Sequence, residues 1–160
     1  MIERHYWSIV FSGTSWEEFG KAGGNVVGFR EAAWRMAERI EKGDYLLCYV
    51  RGVSRFIAIL ETVSTVFNDN TPIWSDEVFP CRIKVRSVVS LSPEIAVPIM
   101  EMSDSLSIFQ GLRNPNGWTG PVRSSPSPWQ ESDGKVVLDR LLSANTHPVE
   151  RPFDLRKWNK

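Results

Sequence analysis

Apolar and polar residues alternate along several short stretches of the chain, and a period of two is typical of half-buried β-strands. The clearest stretch covers residues 79–91. Alternate side chains form its two faces: the apolar face consists of Cys81, Ile83 and Val85, and the basic face consists of Arg82, Lys84 and Arg86. Shorter apolar stretches predict further strands over residues 6–11, 45–51 and 55–66. The turn Gly52-Val53-Ser54 joins the last two as a hairpin.

A period of 3.6 residues predicts one main helix over residues 30–42. Its apolar face consists of residues three or four positions apart: Phe29, Ala33, Met36, Ala37 and Ile40. Gly43 follows at the point where a helix would stop. Shorter helices are predicted over residues 103–111 and 134–143.

These elements together predict an α+β fold. About five to six strands follow one another with short helices inserted, through mostly local hairpin connections and without a repeating βαβ pattern. Such an order favours a small, curled β-barrel over a parallel sheet. The 160 residues fit one domain. We place it at residues 1–144, because the apolar pattern is lost beyond that point, and we expect residues 145–160 to form a linker or C-terminal tail.

Charge and composition narrow the classes of function. The chain has 19 basic and 19 acidic residues, which argues against binding nucleic acid by bulk attraction but allows a local basic face. Cys48 and Cys81 both lie in apolar strand-like stretches, as small core residues of a reducing cytoplasm do. The apolar runs are too short to cross a bilayer, and the start of the chain lacks a signal-peptide pattern. We therefore expect a cytoplasmic protein without a membrane partner.

No catalytic constellation emerges from the sequence. The two histidines, His5 and His147, lie near the termini, and no Cys/His spacing matches a zinc site. Asp69, Asp76 and Glu77 could hold Mg²⁺ in a nuclease, yet no lysine accompanies them in a strand pattern, which favours solvated turn residues. We predict a binding module with no catalytic residue, metal ion or cofactor, and the alternative of a nucleic-acid-processing enzyme stays open.

Several segments, taken in order, carry a resemblance to a known family. They are Gly28-Phe29-Arg30-Glu31, Gly43-Asp44-Tyr45-Leu46-Leu47-Cys48-Tyr49-Val50, and Thr71-Pro72-Ile73-Trp74-Ser75-Asp76 leading to Phe79-Pro80-Cys81-Arg82. This set is similar to EVE domains, which belong to the PUA-like superfamily and are related to YTH domains. Segments 107–109, 114–115 and 123–126 resemble a prokaryotic EVE subgroup that occurs at the front of larger proteins, some with restriction-type nuclease domains.

The resemblance implies a barrel with a surface pocket for one extruded base that is methylated or hydroxymethylated. The implied partner is nucleic acid, with modified DNA favoured and 5-methylcytosine, 5-hydroxymethylcytosine and N6-methyladenine as candidate bases. The module would then supply specificity to a modification-dependent restriction or defence system, next to a fused or associated nuclease domain. A YTH-like reader of modified RNA is the rival within the binding modules.

The resemblance also implies site residues. Trp74 corresponds to an aromatic side chain that contacts the base in relatives, and it lies outside every periodic apolar pattern, so we expect its truncation to leave the fold nearly intact. YTH domains carry a second tryptophan where this chain has Val26 or Val27. Trp118 either covers the pocket or fixes its own loop. The expected base pocket is Ser12, Val27, Phe29, Trp74, Asp76 and Trp118. The expected phosphate contacts are Arg30, Arg113, Arg123 and Ser124.

Overall fold

The computed structural model describes residues 3–160, which form one mixed sheet flanked by short helices. The strands are β1 Tyr6–Phe11, β2 Val26–Phe29, β3 Tyr45–Val50, β4 Arg55–Thr62, β5 Phe67–Asn68, β6 Cys81–Ser90, β7 Val97–Pro98 and β8 Ser127–Trp129. Their main order is β2-β6-β4-β3-β1-β8, with β5 paired to β6 and β7 to β4. Only the β1–β3 pair is parallel among those described.

The helical segments are few and mostly short. The α-helices are α1 Gly13–Lys21, α2 Trp34–Ala37, α3 Glu131–Thr146 and α4 Leu155–Trp158. The 3₁₀ turns are Glu31–Ala33, Ile99–Met102, Ser107–Phe109 and Gly117–Val122. Within residues 3–160, no helix combines the length and the apolar character that a membrane span requires.

The central strands are buried on both faces of the sheet. Leu46 and Leu47 are consecutive in β3 and point to opposite sides, yet neither is exposed to solvent. The core on one side contains Phe19 of α1 and Trp158 of α4, and the core on the other contains Leu141 of α3. Burial on both faces explains why the sequences of β3 and β4 are continuous apolar runs. Apolar and polar residues alternate in β6, because that strand is partly exposed.

A bend in β6 curls the sheet. Its second half pairs with β4 and its first half pairs with β2, and the register with β4 shifts between Ile59 and Leu60. An irregularity of this kind increases local bending and twist. The predicted α+β fold with a curled barrel-like sheet is therefore confirmed. The curl also brings the ends of β1 and β2 towards the same loops, and the candidate site lies there.

The main difference from the predicted elements is the helix expected over residues 30–42. A 3₁₀ turn and the single turn α2 occupy its first part, and Phe29 belongs to β2 instead of the helix. Phe29 pairs with Cys81 of β6, so a long-range strand pairing overrides the local helical period. Strand β6 begins later than expected because Phe79 takes a positive φ of 50° and Pro80 lacks a backbone N–H.

Residues 145–160, expected as a linker or tail, make specific contacts with the sheet and α1. Arg55 donates hydrogen bonds of 2.9 Å to the carbonyl oxygens of Arg151 and Pro152. Trp158 is 2% exposed and belongs to one of the two cores. The end of the described chain therefore packs as part of the domain.

Candidate functional site

A surface cavity of about 430 Å³ opens between the ends of β1 and β2. The loop between β5 and β6 closes one side of it, and residues 123–125, which precede β8, close another. The volume falls within the range of small-ligand sites, roughly 300–1,000 Å³. Its lining combines aromatic rings, hydroxyl groups and guanidinium groups, which together can contact both the faces and the edges of a planar ligand.

Trp74 is the central aromatic residue of the cavity. It is 7% exposed, its Nε1 donates a 3.2 Å hydrogen bond to the carbonyl oxygen of Ser15, and Phe79 packs edge-on against it at 5.5 Å. A Cβ atom on Gly28 would lie 2.7 Å from Cζ3 of Trp74 and from the carbonyl oxygen of Phe79. The ring can lie this close to β2 only because residue 28 is glycine.

A buried arginine holds the loop that carries Trp74. Arg82 is 1% exposed and its guanidinium donates hydrogen bonds to the carbonyl oxygens of Thr71, Val78 and Phe79. The guanidinium carbon lies 5.4 Å from the centre of the Trp74 ring, a cation–π contact. Arg82 therefore ties the irregular loop to β6 at several points.

Alternation along residues 79–91 predicts Arg82 on the outer, basic face of a half-buried strand, but the side chain is buried. The loop before β6 folds back over the first residue of that face and buries Arg82, whereas Lys84 and Arg86 stay exposed as expected. The sequence did contain a signal for this burial, because a long irregular loop between two prolines needs hydrogen-bond donors for its backbone carbonyl groups.

Asp69 strengthens the same attachment. Its carboxylate accepts hydrogen bonds from the side chain and the backbone N–H of Thr71, at 2.7 and 2.9 Å, and lies 3.6 Å from Nη1 of Arg82. The hydrogen bonds from Thr71, together with the charge of Arg82, hold the pKa of Asp69 below its usual value. The carboxylate therefore stays ionised and paired at neutral pH.

Serine hydroxyl groups form the polar side of the cavity at the end of β1. Ser12 caps α1 by accepting a 3.0 Å hydrogen bond from the backbone N–H of Ser15. Ser125 accepts a 3.0 Å hydrogen bond from the backbone N–H of Val10. Because Ser125 accepts through a lone pair, it keeps its own proton as a donor, whereas the hydroxyl of Ser12 also donates to Oγ of Ser15 at 3.2 Å. Ser125 was missed by the sequence analysis, since its partner is remote in the chain.

The charged lining is mainly basic. Arg30, Arg51 and Arg123 contribute guanidinium groups, and Asp76 contributes the carboxylate. Glu77 compensates Arg30, because both of its carboxylate oxygens lie 3.2 Å from Nε of the arginine. Within residues 3–160, no carboxylate side chain lies within ion-pair distance of the other two arginines.

The cavity gathers most of the residues that the sequence analysis proposed. Those that line it are Ser12, Phe29, Arg30, Trp74, Asp76, Arg123 and Ser124. Val27 does not, because it lies two residues further from the cavity end of β2 than Phe29 and is buried in the core, where it is 1% exposed. Trp118 stacks on Phe109 at 5.2 Å and lies outside the cavity, as does the exposed Arg113. Arg51 lines the cavity and was not predicted.

A possible cation site lies elsewhere, and its central residue has a structural use. In the described part of the chain, His5, Glu41 and Asp44 form the single group with metal-binding geometry, and none of them lines the cavity. Asp44 is buried and accepts hydrogen bonds from the backbone N–H groups of His5 and Glu41 and from Nε1 of Trp7. These bonds account for both of its oxygens.

Comparisons with known proteins agree with the fold. The Mmi1 YTH domain in complex with RNA superposes with a TM-score of 0.67 at 11% identity, covering 94% of this chain and 85% of that one. The YTH domain of Zygosaccharomyces rouxii MRB1 in complex with N6-methyladenosine RNA gives 0.60 at 20% identity, covering 86% of each chain. A hypothetical protein from Leishmania major gives 0.63 at 16% identity, covering 89% of this chain and 98% of that one.

These structural likenesses are at low identity and concern the fold alone. Comparison with curated proteins finds no significant match. The family model for the EVE domain, in contrast, matches residues 5–139, which is most of the chain and includes the whole cavity lining. This chain therefore belongs to the EVE domain family.

Proposed function

We propose that the cavity binds a single modified nucleobase extruded from a nucleic-acid strand. The observation that carries the proposal is the placement of Trp74 and Phe29 beside hydroxyl and guanidinium groups in one cavity of suitable size. An extruded base has flat apolar faces and a polar edge, so it needs an aromatic contact and a few fixed hydrogen-bonding groups. Both are present, and Ser125 offers a donor for the edge.

The rigid aromatic lining supports selective binding. Trp74 packs against Gly28 of β2 and edge-on against Phe79, and Phe29 is held in the core, so both rings at the cavity are fixed in place. Rings that are already in place lose little entropy when a ligand binds. Stacking contributes about 1–3 kcal/mol per base, comparable with the cost of unstacking it. Discrimination for a methyl group then depends on the shape of the cavity.

Modified DNA is the ligand we favour, with the module serving as the specificity domain of a modification-dependent restriction or defence system beside a nuclease domain. The support is membership of the EVE family and the resemblance of segments 107–109, 114–115 and 123–126 to a subgroup in which some members carry restriction-type nuclease domains. Zero net charge also suits a module that contacts one base and few phosphates.

Modified RNA is the second candidate. Its support is that the similar YTH structures include complexes with RNA and with N6-methyladenosine RNA. The 2′-hydroxyl groups separate the two candidates. Binding that is lost when RNA is replaced by DNA of the same sequence would favour RNA.

A nucleic-acid-processing enzyme is the alternative from another class. Among residues 3–160, no histidine lines the cavity, and its one carboxylate, Asp76, has no second acid beside it in the lining. We expect no strand cleavage when the chain is incubated with modified or unmodified duplex and Mg²⁺ or Mn²⁺. Cleavage that scales with protein concentration would contradict the binding-module proposal.

A panel of duplexes that differ in one base tests the proposal directly. The duplexes carry cytosine, 5-methylcytosine, 5-hydroxymethylcytosine, adenine or N6-methyladenine at the same position, with RNA strands of the same sequence in parallel. We expect a preference of about tenfold or more for one modified base. Trp74→Phe should reduce this preference, and the matched variant Trp118→Phe, outside the cavity, should not. Equal affinities across the whole panel would overturn the proposal.

A further inference from the structure

We propose that Glu18 of α1 is a positioning residue of the cavity: its carboxylate holds the backbone of Ser75 and thereby fixes the ring of Trp74. Glu18 does not line the cavity, so it acts on a bound base only through Trp74. The inference rests on the proposed function in one respect, namely that the Trp74 ring contacts the base. It adds a residue that governs base preference from outside the cavity.

Helix α1 holds the loop that carries Trp74 at two points. Nε1 of Trp74 donates a 3.2 Å hydrogen bond to the carbonyl oxygen of Ser15, and the backbone N–H of Ser75 donates a 3.0 Å hydrogen bond to Oε2 of Glu18. Ser15 and Glu18 are three residues apart, so they lie on the same face of the helix. One helix face therefore holds both the ring and the main chain that directly follows it.

The bond to Glu18 anchors the main chain of this loop. Within residues 3–160, the backbone N–H of Ser75 is the one between Pro72 and Pro80 that donates a hydrogen bond. Arg82 binds carbonyl oxygens of the same loop from β6. The loop is thus attached to β6 through carbonyl groups and to α1 through a single backbone N–H. Arg82 cannot replace Glu18, because a guanidinium group has no acceptor.

The surroundings of Glu18 indicate that this bond sets the orientation of its side chain. The second carboxylate oxygen, Oε1, is buried and has no hydrogen-bond partner within residues 3–160. A carboxylate that turned away from the loop would be hydrated on both oxygens, so the observed orientation has a cost. The bond from the N–H of Ser75 is charge-assisted and stronger than a neutral hydrogen bond, and it offsets this cost.

Helix α1 is itself a fixed support. Reciprocal hydrogen bonds between Ser12 and Ser15 close its N-terminus as a capping box. Trp158 packs closely against Gly13 and donates a 3.0 Å hydrogen bond from Nε1 to the carboxylate of Glu17. A ring that is held by a fixed helix loses little freedom when a ligand binds.

The same helix connects the polar and the aromatic sides of the cavity. Ser12, its N-cap, lines the cavity, and Glu18 fixes Trp74 through Ser75. An extruded base has to meet an aromatic face and edge hydrogen bonds at the same time. A displaced ring should therefore reduce discrimination between bases more than overall affinity, because backbone contacts carry no base information.

Two-dimensional ¹H–¹⁵N NMR of the uniformly labelled chain tests the positioning directly. The indole signal of Trp74 is assigned by its loss in Trp74→Phe, and Glu18→Ala should shift this signal by more than its line width. Glu17→Ala is the matched control, because it removes a bond of the same length, 3.0 Å, between α1 and a different tryptophan. It should shift the indole signal of Trp158 and leave that of Trp74 in place. An unchanged Trp74 signal in Glu18→Ala would overturn the inference.

Fluorescence anisotropy with the panel of duplexes described above, labelled with fluorescein, measures the effect on binding. Glu18→Ala should reduce a tenfold base preference to less than about threefold and weaken binding of the other duplexes by less than about twofold. Glu18→Gln should retain most of the preference, because its amide oxygen can still accept from Ser75. Glu17→Ala should retain it in full. Equal losses of preference in Glu17→Ala and Glu18→Ala would mean that both residues act through stability, and the positioning role would be wrong.

The two measurements separate this inference from the proposed function. If no duplex of the panel is preferred but Glu18→Ala shifts the Trp74 signal, Glu18 positions the ring and the proposed function fails. If one modified base is preferred and Glu18→Ala changes neither the signal nor the preference, the proposed function stands and the inference fails.

Discussion

Two loops of similar composition have different roles in the packing of the domain. Residues 69–80, the Trp74 loop, and residues 111–124, the Trp118 loop, both lack apolar periodicity and both carry one tryptophan among polar residues and prolines. Trp74 is buried beside the cavity, whereas Trp118 is half-buried and stacks on Phe109 outside it.

The difference lies in what each loop is attached to. The Trp74 loop bonds to β6 through Arg82, which accounts for three of its carbonyl groups. The backbone of the Trp118 loop has one side-chain bond to the sheet, in which Nε1 of Trp129 in β8 donates to the carbonyl oxygen of Pro121 at 3.2 Å. Its other side-chain hydrogen bonds are local, such as those from the N–H of Asn116 to Asn114 and from Thr119 to Asn116. A loop side chain becomes a fixed part of a binding site when long-range bonds tie its backbone to the sheet.

The largest expected effect separates the two tryptophans by their contribution to stability. Trp74→Ala should lower the free energy of unfolding by about 3–5 kcal/mol, because it removes a buried ring and leaves a cavity. This revises the expectation from sequence that truncation leaves the fold nearly intact. Trp118→Ala should cost about 0.5–1.5 kcal/mol for its stacking contact. Urea denaturation of both variants checks the difference, and equal losses would contradict the comparison.

The second effect concerns the attachment itself. Arg82→Met should lower the free energy of unfolding by about 2–3 kcal/mol, because the carbonyl groups of Thr71, Val78 and Phe79 lose a charged donor inside a buried site. Lys84→Met, two residues along the same strand and exposed, is the matched control and should change stability by less than about 0.5 kcal/mol. Base preference should fall with Arg82→Met, since the support of Trp74 is lost. If both variants denature at the same urea concentration, Arg82 does not anchor the loop.

The regular strands could be predicted from the sequence because the burial of each strand is reflected in its own local pattern of apolar residues. Tyr6–Phe11 was predicted with its observed bounds, and β3, β4 and β6 with small differences at their ends. Strand β2 was missed, since its four residues are stabilised by pairing with β6, more than fifty residues away. The helix predicted over residues 30–42 is present only in part, as the 3₁₀ turn Glu31–Ala33 and α2.

The residues of the candidate site likewise divide into those that the sequence identifies and those that depend on distant contacts. Trp74 was identified through the resemblance to a family and not through periodicity, which has no information on loops. The sequence did not identify three residues at the cavity: Arg51, Ser125 and the supporting Arg82. Their positions depend on hydrogen bonds to distant partners, which are Lys160, Val10 and the carbonyl groups of a folded loop, respectively. Those partners come together only in the tertiary structure, so no local sequence pattern predicts these contacts.

A smaller effect tests the close approach beneath Trp74. Gly28→Ala places a Cβ atom 2.7 Å from the ring and from a backbone oxygen, so overpacking should cost about 1–3 kcal/mol and displace the ring. Gly120→Ala, in the Trp118 loop, meets no atom within 4 Å and should change stability by less than about 0.5 kcal/mol. Melting temperatures of the two variants, with affinity for the preferred duplex, make the comparison. A Gly28→Ala variant as stable and as selective as the parent would show that Trp74 has room to move.

The smallest effect is a pH dependence that belongs to the Trp74 loop. The pKa of Asp69 lies below its usual value of 3.8, owing first to the hydrogen bonds from Thr71 and then to the charge of Arg82. A carboxyl group whose folded pKa is depressed stabilises the fold above its unfolded pKa, and this contribution is lost as the pH falls through the folded value. Between about pH 5 and about pH 3, the melting temperature of the parent chain should therefore fall further than that of the Asp69→Asn variant. Because Asp69 is exposed, we expect a shift of a few degrees at most. Asp104→Asn, also exposed but without such bonds in the described chain, should keep the parental dependence. A parental profile in Asp69→Asn would mean that the loop is held by Arg82 and its carbonyl partners alone.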